Sequence, residues 1–123
     1  MKTNSAQLHK AIRNLLIPSV TNVYYENIPK PVTYPYAVFS TRLMGTTSGQ
    51  QSYQLEIDVA AKDQKTVEDL ADSIEDNFDY LSFANQYLFF HVYRATRYTV
   101  VEEDKSIERR HLTFDLYYYT REN

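Results

Sequence analysis

Apolar positions along the chain switch between a helical and an alternating period, and each switch marks a new element. Leu8, Ile12, Leu15 and Leu16 stand at i, i+4, i+7 and i+8, which predicts a first helix with one apolar face. Asn4 and Gln7 have the spacing of a capping box with Asn4 as N-cap. Pro18 ends the helix at Leu16 or Ile17, because its ring collides with the preceding turn. Val23, Tyr24 and Tyr25 read as a short strand. It runs into Pro29 and Pro31, which cannot donate to a ladder and forbid a central strand there. A second strand is predicted over residues 36–41, entered through Tyr34 and Pro35.

Residues 44–52 hold both glycines of the chain among Thr, Ser and Gln, and are read as a flexible loop. Beyond them Tyr53, Leu55, Ile57 and Val59 alternate with Gln54, Glu56 and Asp58, as in a strand with one buried and one wet face. That alternation favours an antiparallel sheet covered on one side. Asp63 is the predicted N-cap of a second helix, whose stripe is Val67, Leu70, Ala71, Ile74 and Phe78. The acids Glu68, Asp69, Asp72, Glu75, Asp76 and Asp79 fill the rest of that helix and read as a solvated face.

A break at residues 82–86 precedes a long extended run over 87–101. Leu88, Phe90 and Val92 share one parity, but the same parity then reaches Arg94, and a mid-strand bulge resolves the conflict. A polar turn at Glu102, Glu103, Asp104 and Lys105 leads to a final strand over 109–120. There Leu112, Phe114, Leu116 and Tyr118 share one face, and His111, Thr113, Asp115, Tyr117 and Tyr119 the other. The fold class is α+β, in one domain over residues 1–123. Two helices pack on one face of a four- to five-stranded, mainly antiparallel sheet in the order α-β-β-β-α-β-β.

Composition narrows the function classes more than it names one. The 123 residues are 43% apolar and 24% charged, with 2 Gly and 4 Pro, which suits a globular chain and not a low-complexity one. With no cysteine, disulfide scaffolds, thiolate metal sites and Cys nucleophiles are out. A net charge of −3 gives no basic field for non-specific nucleic-acid binding. The aromatic set is 12 Tyr, 6 Phe and no Trp, and such tyrosine excess suits amphipathic contact surfaces. No signal peptide or membrane span is read from the sequence, so the chain is expected to stay where it is made.

Candidate chemistry is sparse. Gly45 and Gly49 precede no Lys-Ser/Thr pair, and no HExxH or GxSxG motif occurs. His9 is read as partly buried packing. A hairpin turning near Glu103 and Asp104 sets His91 opposite about Leu116 and His111 opposite about Thr96, so the two do not share a metal. Arg94, Arg97, Arg109 and Arg110 form a small basic cluster, to be matched by cross-strand Asp or Glu or by an acidic partner. No catalytic residue, metal ligand or cofactor site is assigned, and the chain is not read as an enzyme.

The stretch Val23-Tyr24-Tyr25-Glu26-Asn27-Ile28-Pro29, followed by Tyr34-Pro35-Tyr36-Ala37-Val38-Phe39, resembles the opening of the tail-completion and tail-terminator proteins of long-tailed bacteriophages and prophages. The resemblance continues through the strand of Tyr53, the helix of Val67 and the closing stretch Arg110-His111-Leu112-Thr113-Phe114, and so covers nearly the whole chain. It implies a structural virion protein, made in the bacterial cytoplasm, that forms a ring, usually a hexamer, at the head-proximal end of the tail. Such a ring ends tube growth and joins tail to head, with a stopper-type neck protein or a small oligomeric adaptor as the alternative. The implied partners are further copies of itself, the tail tube protein and a head-side connector. No membrane, cofactor or sequence-specific nucleic acid is implied, although genome DNA can pass through the ring.

A closed ring needs two different patches on each subunit. The expected patches are Tyr117 and Tyr119 and the outward positions of residues 34–41. Loops expected to be mobile until docked are 44–52, with Arg42, Met44, Gly45, Gly49 and Gln50, and 101–109, with Glu102, Glu103 and Asp104.

Overall fold

A computed structural model describes residues 5–120, so the proposed N-cap Asn4 lies outside the described residues. The elements are α1 (Ser5–Leu16), β1 (Asn22–Tyr25), β2 (Tyr36–Thr47), β3 (Gln50–Ala61), α2 (Gln64–Phe78), β4 (Leu81–Ala84), β5 (Leu88–Val100) and β6 (Glu108–Thr120). They form an α+β fold with one curled six-stranded sheet of order β1-β2-β3-β6-β5-β4. Only β1 and β2 are parallel; the other neighbours are antiparallel.

The sheet has one strand more than the periodicity indicates. β4 lies where a break at residues 82–86 is expected, and its four residues are too few for an alternating pattern to show. Leu81 and Phe83 nonetheless lean on the core, and the Phe83 ring stacks on Phe90 at 5.0 Å.

The expected loop at 44–52 is also replaced by structure. β2 runs on to Thr47 and β3 starts at Gln50, so only Ser48 and Gly49 form the turn. Thr46 and Thr47 are β-branched and pair with Gln51 and Gln50, which extends the ladder through residues whose composition suggests disorder. Gly45 flanks a bulge at Met44 instead of a hinge. Gly49 has φ +76°, a left-handed conformation that L side chains adopt only with strain. Nothing lies within 4 Å of a Cβ placed there, so Gly49→Ala tests the backbone alone. It is expected to destabilise the chain by about 1 kcal/mol, read as a lower urea midpoint at unchanged slope.

One face of the sheet carries the core. Leu55, Ile57, Val59, Leu112, Phe114, Leu116, Phe90 and Val92 are fully buried beneath α1 and α2. α2 begins as its sequence indicates: the Asp63 carboxylate accepts from the Thr66 amide at 2.8 Å. Those two hydrogen-bond donors of Thr66, amide and hydroxyl, hold the Asp63 carboxyl below its ordinary pKa. α1 ends at Leu16, ahead of Pro18. Its His9 lies half-buried, with Nε2 3.0 Å from Thr41 Oγ1 and its ring 4.2 Å from that of Tyr25. Burial depresses the His9 pKa, and Glu26 offsets this only in part.

The bulge inferred within residues 87–101 is present, between Arg94 and Thr96. Arg94 pairs with Phe114 and Arg97 with Leu112, two residues that share the core face. An unbroken strand would put residues three apart on opposite faces. Arg94 keeps the parity of Phe90 and Val92 and stays on the core face, and the extra residue, Ala95, brings Arg97 onto that face as well.

Candidate functional site

Along the sheet-facing side of α2 the arginines meet acids. Arg97 contacts Glu68, Asp72 and Glu75, each at 2.7 Å, and Arg110 bonds Glu68. Arg94 Nε lies 3.7 Å from Asp79, and Arg109 pairs with Glu102. The basic cluster is thus matched chiefly by the helix and not, as expected, by cross-strand carboxylates. The acidic face of α2 is correspondingly not all solvated: Glu75 is only 6% exposed. Burial works against the Arg97 charge, but hydrogen bonds to Asp72 and Glu75 and the field of Glu68 outweigh it and raise its pKa above the ordinary guanidinium value. This cluster is internally neutralised and lies between α2 and the sheet.

The histidines stay apart. His91 pairs with Tyr117 and His111 with Tyr98, one and two positions from the expected register. His91 Nδ1 lies 2.8 Å from Ser82 Oγ, while His111 Nδ1 lies 2.9 Å from Asp58 Oδ1. Among the described residues no three His, Asp or Glu side chains are placed to hold a metal ion, and no helix is long and apolar enough to cross a membrane. A groove of about 520 Å³ separates α1 from the β4–β5 turn; its lining includes Leu15, Phe83 and Tyr87 and one cation, Lys10.

Among the described residues no helix covers the opposite face of the sheet, and the remaining candidates are found there or at the sheet ends. Arg42, Met44, Gly45, Gly49 and Gln50 belong to the β2–β3 hairpin. Glu102, Glu103 and Asp104 lie in the β5–β6 connection. The registers Gln51–Tyr118 and Ala61–Glu108 place these two groups at opposite ends of the sheet. The acidic connection is a hydrogen-bonded turn, with Asp104 accepting from the Ser106 amide at 2.9 Å.

Tyr117 and Tyr119 lie on the helix-free face, half-buried among other rings. Tyr119 is 5.7 Å from Phe89 and 6.4 Å from His91; Tyr117 is 6.0 Å from Tyr93, which is 5.6 Å from Tyr80. Among the outward positions of residues 34–41, Tyr34, Val38 and Ser40 are half-buried, but Tyr36 is not free. Tyr36 is 2% exposed, flanked by Tyr34 and Tyr24, and accepts a hydrogen bond from Arg109. That burial raises its pKa above the ordinary phenol value, a shift that the nearby Arg109 only partly opposes.

Sequence reasoning placed Asp115 on this face with Tyr117 and Tyr119, but missed Tyr80 and Tyr93 as members of the surface. Tyr93 lies in the strand whose phase is ambiguous. Tyr80 has φ +57° and is 77% exposed, and nothing in its residue type signals a left-handed turn.

No family model matches the chain, and no curated protein matches it in sequence. A solved structure does match: a chain from the virion of a native gene transfer agent particle superposes with a TM-score of 0.67 at 16% identity, covering 85% of this chain and 84% of that one. At that identity the likeness shows a shared fold.

Proposed function

We propose that the chain is a non-enzymatic structural protein of a virion, and that it forms a ring, most simply of six copies, at the head-proximal end of a phage tail. There it ends tube growth and joins the tail to the head connector, so that its partners are its own copies, the tube protein and a head-side protein. The observation that carries this reading is the fold shared over nearly the full length of both chains with a component of a virion particle. The geometry suits the role. The β2–β3 hairpin and the acidic β5–β6 turn project from opposite ends of one rigid sheet, where a ring needs one contact toward the tube and another toward the head.

The test is deletion of the gene in a particle-producing bacterium, followed by electron microscopy. Heads and tails that accumulate unjoined, and that join when the gene is restored, are the expected result. Intact, infectious particles from the deletion strain overturn the reading.

A further inference from the structure

A single row of side chains crosses the helix-free face from one open edge of the sheet to the other. Arg42 on β2 pairs with Gln54 on β3, Gln54 with Asp115 on β6, and Asp115 with Tyr93 on β5. Both ends of the row are uncovered by strands. β1 pairs with β2 only as far as Phe39, and β4 pairs with β5 only as far as Val92.

Among the described residues the charges along the row are unmatched. Arg42 bonds the neutral Gln54 and meets no carboxylate, and Asp115 is exposed with no cation beside it among the described residues. Apolar exposure clusters at the same two edges. Leu43 and Met44 are 51% and 58% exposed beside Arg42, and Tyr80 and Tyr93 stand exposed at the other end. Tyr80 is held in a left-handed conformation that its residue type disfavours.

We propose that the chain binds a second copy of itself head to tail through this row, an inference that rests on the ring reading above. Arg42, with Leu43 and Met44, of one copy meets Tyr80, Tyr93 and Asp115 of the next. The guanidinium lies over the Tyr93 ring and pairs with the carboxylate behind it. The contact is made by side chains and is not a continued ladder, because Asp79 already accepts from the Arg94 amide at 3.0 Å on that edge. The two patches differ and lie on opposite edges, so the contact is heterologous and can close a ring. The acid and base alternate around it.

Charge reversal in two separate chains tests this directly. Arg42→Glu carries acid at both edges and Asp115→Arg carries base at both. Each alone is expected to associate at least about tenfold more weakly than the parent in sedimentation velocity. An equimolar mixture restores association, since every junction again joins acid to base. Both positions are exposed, and unchanged thermal melts show that the variants fold; Met44→Glu is a second variant expected to weaken association.

A parent that assembles while both reversals assemble equally well overturns the row contact and leaves the ring standing on other surfaces. Reversals that weaken association without recovery on mixing also overturn it. A parent that stays monomeric up to about 1 mM overturns the contact as a self-sufficient one, whereas the ring reading fails only by the deletion experiment.

Discussion

Phe114→Ala will cost about 4 kcal/mol of unfolding free energy and lower the melting temperature by roughly 15 °C. Phe114 is fully buried in the middle of β6, between Leu55 on β3 and Arg94 on β5, and its ring lies 5.6 Å from Phe78 at the end of α2. Removing it loses the transfer free energy of the ring and leaves a cavity that the sheet cannot close, because β3 and β5 are fixed by their ladders on either side. A domain of this size has about 5–15 kcal/mol in all, so the variant is left near the edge of folding. The measurement is a urea titration of parent and variant. Phe114→Leu, which fills most of the space, is expected to recover more than half of the loss. A loss below about 1 kcal/mol for alanine would mean that α2 does not rest on this ring.

Phe114 is also a case where the sequence sufficed. Its alternation with Leu112, Leu116 and Tyr118 is unbroken over a full strand, so period alone assigns its face. The same holds for the β3 strand and for the Asp63 cap, whose chemistry is local. Legibility stops where the determinant is not local. β4 is four residues long and shows its sheet membership only through pairing with β5. Thr46 and Thr47 sit between two glycines, and composition suggests a loop until the partner residues Gln50 and Gln51 are known.

The candidate surface was harder still. Arg42 and Asp115 are 73 positions apart in sequence and share a row only through two registers, and a one-residue slip would send them to opposite faces. Tyr117 and Tyr119 could be placed on the helix-free face by parity, yet their neighbours Tyr93 and Tyr80 could not. Arg94, a charged residue on the core parity, obscures the phase of the first, and a left-handed turn without glycine positions the second.

The bulge at Ala95 makes Arg97 the second residue with a large expected effect. Arg97→Ala removes the only cation among the described residues that contacts the Glu75 carboxylate, which stays buried against the sheet. Breaking a fully buried pair costs about 3–5 kcal/mol; here the cluster opens to solvent at Asp72, and the loss is expected near 2 kcal/mol. The cost is that of a stranded charge, and not of a missing contact, which gives the prediction its sharper form. Arg97→Met alone leaves Glu75 stranded and is expected to behave like the alanine variant. Adding Glu75→Leu removes the stranded charge and fills its space with apolar atoms, so the double variant returns to within about 1 kcal/mol of the parent. Glu68 keeps Arg110 as its partner throughout and Asp72 faces solvent, so the buried Glu75 carries most of the stranded charge. Urea titrations of the parent, Arg97→Met, Glu75→Leu and the double variant give the coupling. A double variant less stable than either single one would show that the guanidinium contributes net attraction, and that the helix is held by charge instead of merely tolerating it.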